Sequence, residues 1–288
     1  MNFFKALFGG KQESSEEKKQ QEEARQFDTL KYDGVRAMKS GEIDFAVKCF
    51  RHALSMKDDL EIHDYLSQAL IAQNNLIEAY DELQIMAEAQ PDNQAIFIRM
   101  ANVALMMEDY GALSNACEKA MLIDDSNAEV MYLYGRGCIG QDDDVNAVAM
   151  LTRAITLNDK FYDAYLLRSQ ANLRLEKIDE ASADADFLLE QVGENEDVLL
   201  LKARIARAQG NDDDAIAFYG RVINENPFRE EAYRERAELR RKSGDEQGAE
   251  EDLKKADEVA PEDQKSAEDQ KIQQKVEKKY REMNPYGF

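Results

Sequence analysis

An alanine, or one apolar stand-in for it, returns almost without slippage through this chain: Ala46, Ala79, Leu113, Ala147, Ala181, Ala215 and Ala249. The first interval is 33 residues and the other five are 34. A second series follows seven residues later, as Ala53, Met86, Ala120, Ala154, Leu188, Val222 and Ala256. Between the two lie Phe50, Leu83, Cys117, Leu151, Ala185, Tyr219 and Leu253. Seven copies of one unit therefore fill residues 27–261. A unit of this length cannot bury an apolar face alone, so a fixed period in this range predicts helical hairpins that stack on their neighbours.

The fourth copy shows what one unit contains. Residues 128–140 carry apolar side chains at helical spacing, Gln141 to Val145 supply a polar break with a ready N-cap, and residues 146–157 resume the spacing until Asn158-Asp159 stops it. Similar breaks stand at Ser40-Gly41, Asn74-Asn75, Gly210-Asn211 and Gly244-Asp245. Pro91, Pro227 and Pro261 fall between units, where a helix must end. No segment alternates with period two for long enough to read as a strand.

At these residues the chain resembles the tetratricopeptide repeat family. The family's small first-helix residue matches Gly34, Ser67, Ala101, Gly135, Ser169, Ala203 and Ala237, and its first-helix aromatic matches Phe97, Tyr165 and Tyr233. Its frequent tryptophan is absent, since the chain has none. The resemblance implies an all-α, right-handed superhelical solenoid, with repeats at 27–59, 60–93, 94–127, 128–161, 162–195, 196–229 and 230–261. One elongated domain is expected. Residues 262–288 are expected to form a capping helix with Ile272, Val276, Tyr280 and Met283 in one stripe.

Charge narrows the partners. The formal charge of −22 lies entirely on the repeats, because residues 1–26 and 262–288 each carry equal numbers of acids and bases. Such a surface repels phosphate backbones, which argues against nucleic acid and leaves protein or peptide. Cys49, Cys117 and Cys138 fall on inward positions and are odd in number, which suits core thiols in a reducing compartment. The opening MNFFKALFGG is too short for a secretory signal, and the expected location is the cytoplasm. Its Phe3, Phe4, Leu7 and Phe8 form an apolar patch if helical, able to dock on protein or touch a membrane surface. Residues 11–26 read as a flexible linker or a solvated helix.

Several patterns suggest chemistry and lose it in register. Residues 135–140 satisfy G-x-G-x-x-G, yet Gly135 occupies the position of Gly34 and Ala101, where a small residue lets two helices approach. Asp142 to Asp144 and Asp212 to Asp214 lack the glycine and distal glutamate of a calcium loop and read as caps. Cys49, His52 and His63 lack the fourth ligand of a structural zinc and read as a core thiol and surface histidines. No nucleophile with its base is visible, so no catalytic residue, metal or cofactor is expected.

A binding surface remains. In the family the first helices line the concave face, where extended or helical peptides lie. One groove position reads Val35, Gln68, Asn102, Arg136, Gln170, Arg204 and Glu238, a run of donors at its centre within an acidic chain. Arg99, Tyr132 and Arg207 join Asn102, Arg136, Gln170 and Arg204 as the expected peptide-binding residues. The alternative is that these arginines pair with acidic neighbours. A chaperone-type carboxylate clamp fits less well: Lys31 and Arg99 match, whereas Val35 and Ala95 do not. The expected function is a non-catalytic interaction scaffold, with a membrane-tethered assembly factor or a chaperone adaptor as alternatives.

Overall fold

The computed structural model describes residues 15–260. They form helices paired in hairpins: α1 (Ser15–Lys39) with α2 (Ile43–Met56), α3 (Leu60–Ala72) with α4 (Leu76–Ala89), α5 (Gln94–Met106) with α6 (Tyr110–Ile123), and α7 (Ala128–Gly140) with α8 (Asp144–Leu157). Three more hairpins follow, α9 (Tyr162–Arg174) with α10 (Ile178–Val192), α11 (Glu196–Ala208) with α12 (Asp212–Glu225), and α13 (Glu230–Ser243) with α14 (Glu246–Val259). No strand occurs among the described residues. The apolar patch at Phe3, Phe4, Leu7 and Phe8 and the expected capping helix at 262–288 lie outside the described residues.

The chain divides into two compact units, the first ending at Leu157 and the second beginning at Asn158. The register alone leads one to expect a single domain, because a period counts hairpins and carries no record of where one packed unit gives way to the next. The first unit holds α1–α8 and the second α9–α14.

The repeat positions are the core. All seven residues of the first alanine series are 0% exposed, and the residues between the two series are buried except Leu253, which is half-buried. Small side chains are required where first and second helices cross. A Cβ added at Gly135 would stand 2.8 Å from Leu151 Cγ, and overpacking of that kind costs about 1–3 kcal/mol. The G-x-G-x-x-G residues thus lie inside helix α7, one face packed on α8, with no loop to cradle a phosphate.

Each hairpin turn is built the same way. Gly41, Asn74, Glu108, Asp142, Glu176, Gly210 and Gly244 all have φ between 57° and 89°, the left-handed conformation that closes a helix C-terminus. The amide one residue further on reaches back across the turn: Glu42 N to Ala37 O, Asn75 N to Leu70 O and Asp109 N to Ala104 O, each 2.9 Å. Asp143 to Cys138, Lys177 to Asn172, Asn211 to Ala206 and Asp245 to Arg240 repeat that bond at 2.9 Å. These bonds satisfy carbonyls that a helix end would otherwise leave open.

Acidic runs at the turns divide in role. Asp143 accepts from Asn146 N at 3.2 Å and so caps α8, as the sequence suggests. Asp212 to Asp214 differ: Asn211 holds the N-cap position, and the three aspartates occupy the first turn of α12, where the helix dipole favours negative charge. Asp212 also pairs with Lys242 at 2.5 Å.

Candidate functional site

The expected binding residues divide between the two units. In the first, Arg99 and Asn102 stand on α5, Tyr132 and Arg136 on α7. In the second, Gln170 stands on α9, Arg204 and Arg207 on α11.

The first-unit group is only partly committed to internal partners. Arg99 is half-buried, pairs with Asp64 of α3 and donates to Ser67 Oγ at 2.7 Å, so its guanidinium is fixed in place. Asn102 is exposed, and its amide donates back to Ile98 O at 3.0 Å. Arg136 lies over the ring of Tyr132, 5.8 Å from the centroid, a distance at which the ring face attracts a cation. No carboxylate pairs with Arg136 among the described residues. Gln68, one hairpin before Asn102 at the same register, is exposed on α3.

In the second unit the arginines are already engaged. Arg204 meets Glu235 at 2.5 Å and Glu231 at 2.7 Å, both on α13, and Arg207 meets Glu238 at 2.9 Å. Hydrogen bonding to Glu235, acting against burial, holds the Arg204 guanidinium above its already high ordinary pKa. Tyr219 donates to the same Glu235 at 2.7 Å. Gln170 is half-buried. The two residues that match a chaperone-type clamp are engaged as well, Lys31 with Glu61 and Arg99 with Asp64.

Other groups are placed where sequence reasoning does not put them. His63, read as a surface histidine, is 7% exposed, with Glu82 at Nδ1 and Asp58 at Nε2, the latter 2.8 Å away. Ionised carboxylates accept only, so the two contacts favour the ring that carries a proton on both nitrogens. Burial works to lower its pKa, and the hydrogen bonds to Glu82 and Asp58 outweigh that and raise it. In the second unit Arg168 grips Asp184 at 2.8 and 2.6 Å, and Arg236 grips Asp252 at 2.8 and 2.6 Å. Both aspartates are buried and tie a first helix to its own second helix. The 16-residue spacing is common to both pairs and is the signal that could have found them.

Cys49, Cys117 and Cys138 are free and buried in the first unit. Burial pushes the Cys117 thiol up to about 12. No described helix is long and apolar enough to cross a membrane.

No family model and no curated protein matches the chain. Solved structures do. The chain is similar to a tetratricopeptide repeat protein from Parabacteroides merdae at 16% identity and TM-score 0.68, over 82% of this chain and 94% of that one. It is similar to PilW, a widely conserved type IV pilus biogenesis factor, at 15% identity and TM-score 0.60, over 67% and 90%. YrrB, a TPR protein with an unusual peptide-binding site, aligns at 17% identity and TM-score 0.51, over 66% and 97%. The fold is that of the tetratricopeptide repeat proteins, an all-α array of helical hairpins.

Proposed function

We propose that this chain is a non-catalytic scaffold whose first unit binds a peptide carrying a carboxylate, at Asn102, Tyr132 and Arg136. The observation that carries this reading is the state of Arg136, a guanidinium laid over an aromatic ring with no carboxylate paired to it among the described residues of an acidic chain. A ligand carboxylate would supply the missing charge, and Asn102 would hold the peptide backbone. Arg99, anchored by Asp64 and Ser67, would border the site as a fixed positive group. In the second unit Arg204 and Arg207 would contribute only where a ligand displaces Glu231, Glu235 and Glu238. Peptide binding on this fold in YrrB makes peptides the first ligand class to try.

An array of peptides with free or amidated C-termini, probed with the full chain and with Arg136→Glu and Arg204→Glu variants, tests it. Charge-assisted hydrogen bonds are worth about 1.5–3 kcal/mol, so Arg136→Glu should weaken binding about tenfold to a hundredfold. Arg204→Glu should act mainly on melting temperature. Equal retention of carboxylate-ended peptides by a folded Arg136→Glu protein would remove the site.

A further inference from the structure

The first hairpin is lopsided. Helix α1 has 25 residues and its partner α2 has 14, whereas the two helices of every later hairpin match within two residues. Residues 15–26 therefore run past the end of α2, and all of them are exposed. Where α1 clears the end of α2 there is a cavity of about 650 Å³, lined by Glu23, Ala24, Phe27 and Asp28 of α1 and by Met56 and Lys57 at the end of α2. That volume lies in the range of cavities that take ligands, roughly 300–1,000 Å³. Met56 and the edge of Phe27, which is 8% exposed with Lys57 Nζ 5.2 Å over its ring, give it an apolar base, and Glu23 and Asp28 give it acidic groups. Within each unit the later first helices pack on the preceding second helix, as α3 does on α2 and α5 on α4. Helix α1 has no such predecessor among the described residues.

We propose that residues 3–8 of this chain, with Phe3, Phe4, Leu7 and Phe8, occupy this cavity and serve the first hairpin in place of a preceding helix. Reach permits it. The seven Cα-to-Cα steps from Phe8 to Ser15 span about 23–25 Å when extended, whereas the twelve steps from Ser15 to Phe27 along α1 measure about 18 Å. Chemistry favours the same occupant, since three phenylalanines and a leucine meet the apolar base while Lys5 comes within reach of Glu23 and Asp28. The tether adds to this by holding the segment at an effective concentration of about the millimolar order.

The chain has no tryptophan, so a Phe4→Trp substitution in the full-length protein gives a single reporter. Its emission should be blue-shifted, should stay so on dilution by about a hundredfold as an intramolecular contact must, and should move to the red when Met56→Glu is added. Ala24→Arg is the second variant. Ala24 is exposed on the helix, so this change fills the cavity and leaves the fold intact, and it should give the same red shift with unaltered circular dichroism. Four results would overturn the proposal. They are emission of a water-exposed indole, a blue shift lost on dilution (a second copy), a blue shift that appears only with phosphatidylglycerol–phosphatidylcholine vesicles (a membrane surface), or a blue shift that survives both cavity variants.

Discussion

His63 carries the most specific consequence of any single side chain here. Its pKa is raised in the folded state, so the stability it contributes is fully present below the unfolded value near 6.5 and is lost as pH rises through the folded pKa. The groups facing it are Glu82 of α4 and Asp58 of the turn before α3. Thermal melts at pH values from about 6.5 upward should show the wild type losing stability as the ring gives up its proton. In His63→Gln that part of the pH dependence should be absent, and equal slopes for the two proteins would refute the assignment. Nothing in the local sequence announces this site, because one carboxylate stands five residues away and the other nineteen. The alanine series, by contrast, is legible from period alone, since the same crossing of two helices imposes the same steric limit seven times. The arginines of the expected strip fall between these cases. Their register is visible in the sequence, but whether a glutamate on the next first helix closes each one, as Glu235 closes Arg204, depends on rotamers that no spacing records.

Among the elements, the hairpin turn is the most regular. Its left-handed residue is glycine in the first, sixth and seventh hairpins and Asn74, Glu108, Asp142 and Glu176 in the others. A residue with a Cβ costs about 1–2 kcal/mol in that conformation, while glycine loses about 0.5–1 kcal/mol of chain entropy on folding. Glu108→Gly and Glu176→Gly should therefore each stabilise the protein by about 0.5–1 kcal/mol, and Asn74→Gly by less, since asparagine tolerates this region. Chemical denaturation of the single variants measures it. A loss of stability in both glutamate variants would mean that their side chains hold the turn in some other way. Sequence shows these positions only where glycine or asparagine stands, and the two glutamates would pass for ordinary surface residues. The buried pairs Arg168–Asp184 and Arg236–Asp252 are hidden for a related reason, since charged residues on a helix read as solvent-facing until the helix across from them is known.

For the whole molecule the net charge of −22 sets the response to salt. Self-repulsion destabilises a folded chain and is screened as the Debye length falls from about 30 Å at 0.01 M to about 8 Å at 0.15 M. The melting temperature should therefore rise over that range. A fall would mean that ion pairs such as Arg204–Glu235 and Arg229–Asp197 outweigh the repulsion. The fold class is legible at this scale and the division into two units is not, because one period runs through both.

The three buried thiols have a practical corollary. All of them belong to the first unit, so the second unit carries no cysteine at all. An alkylating reagent added to the native protein then acts as a stopwatch for one half of the chain, advancing only when the first four hairpins open and blind to events in the other three. Comparing that clock with loss of helix signal during denaturation reveals whether the two units melt together or in turn, without a single engineered label.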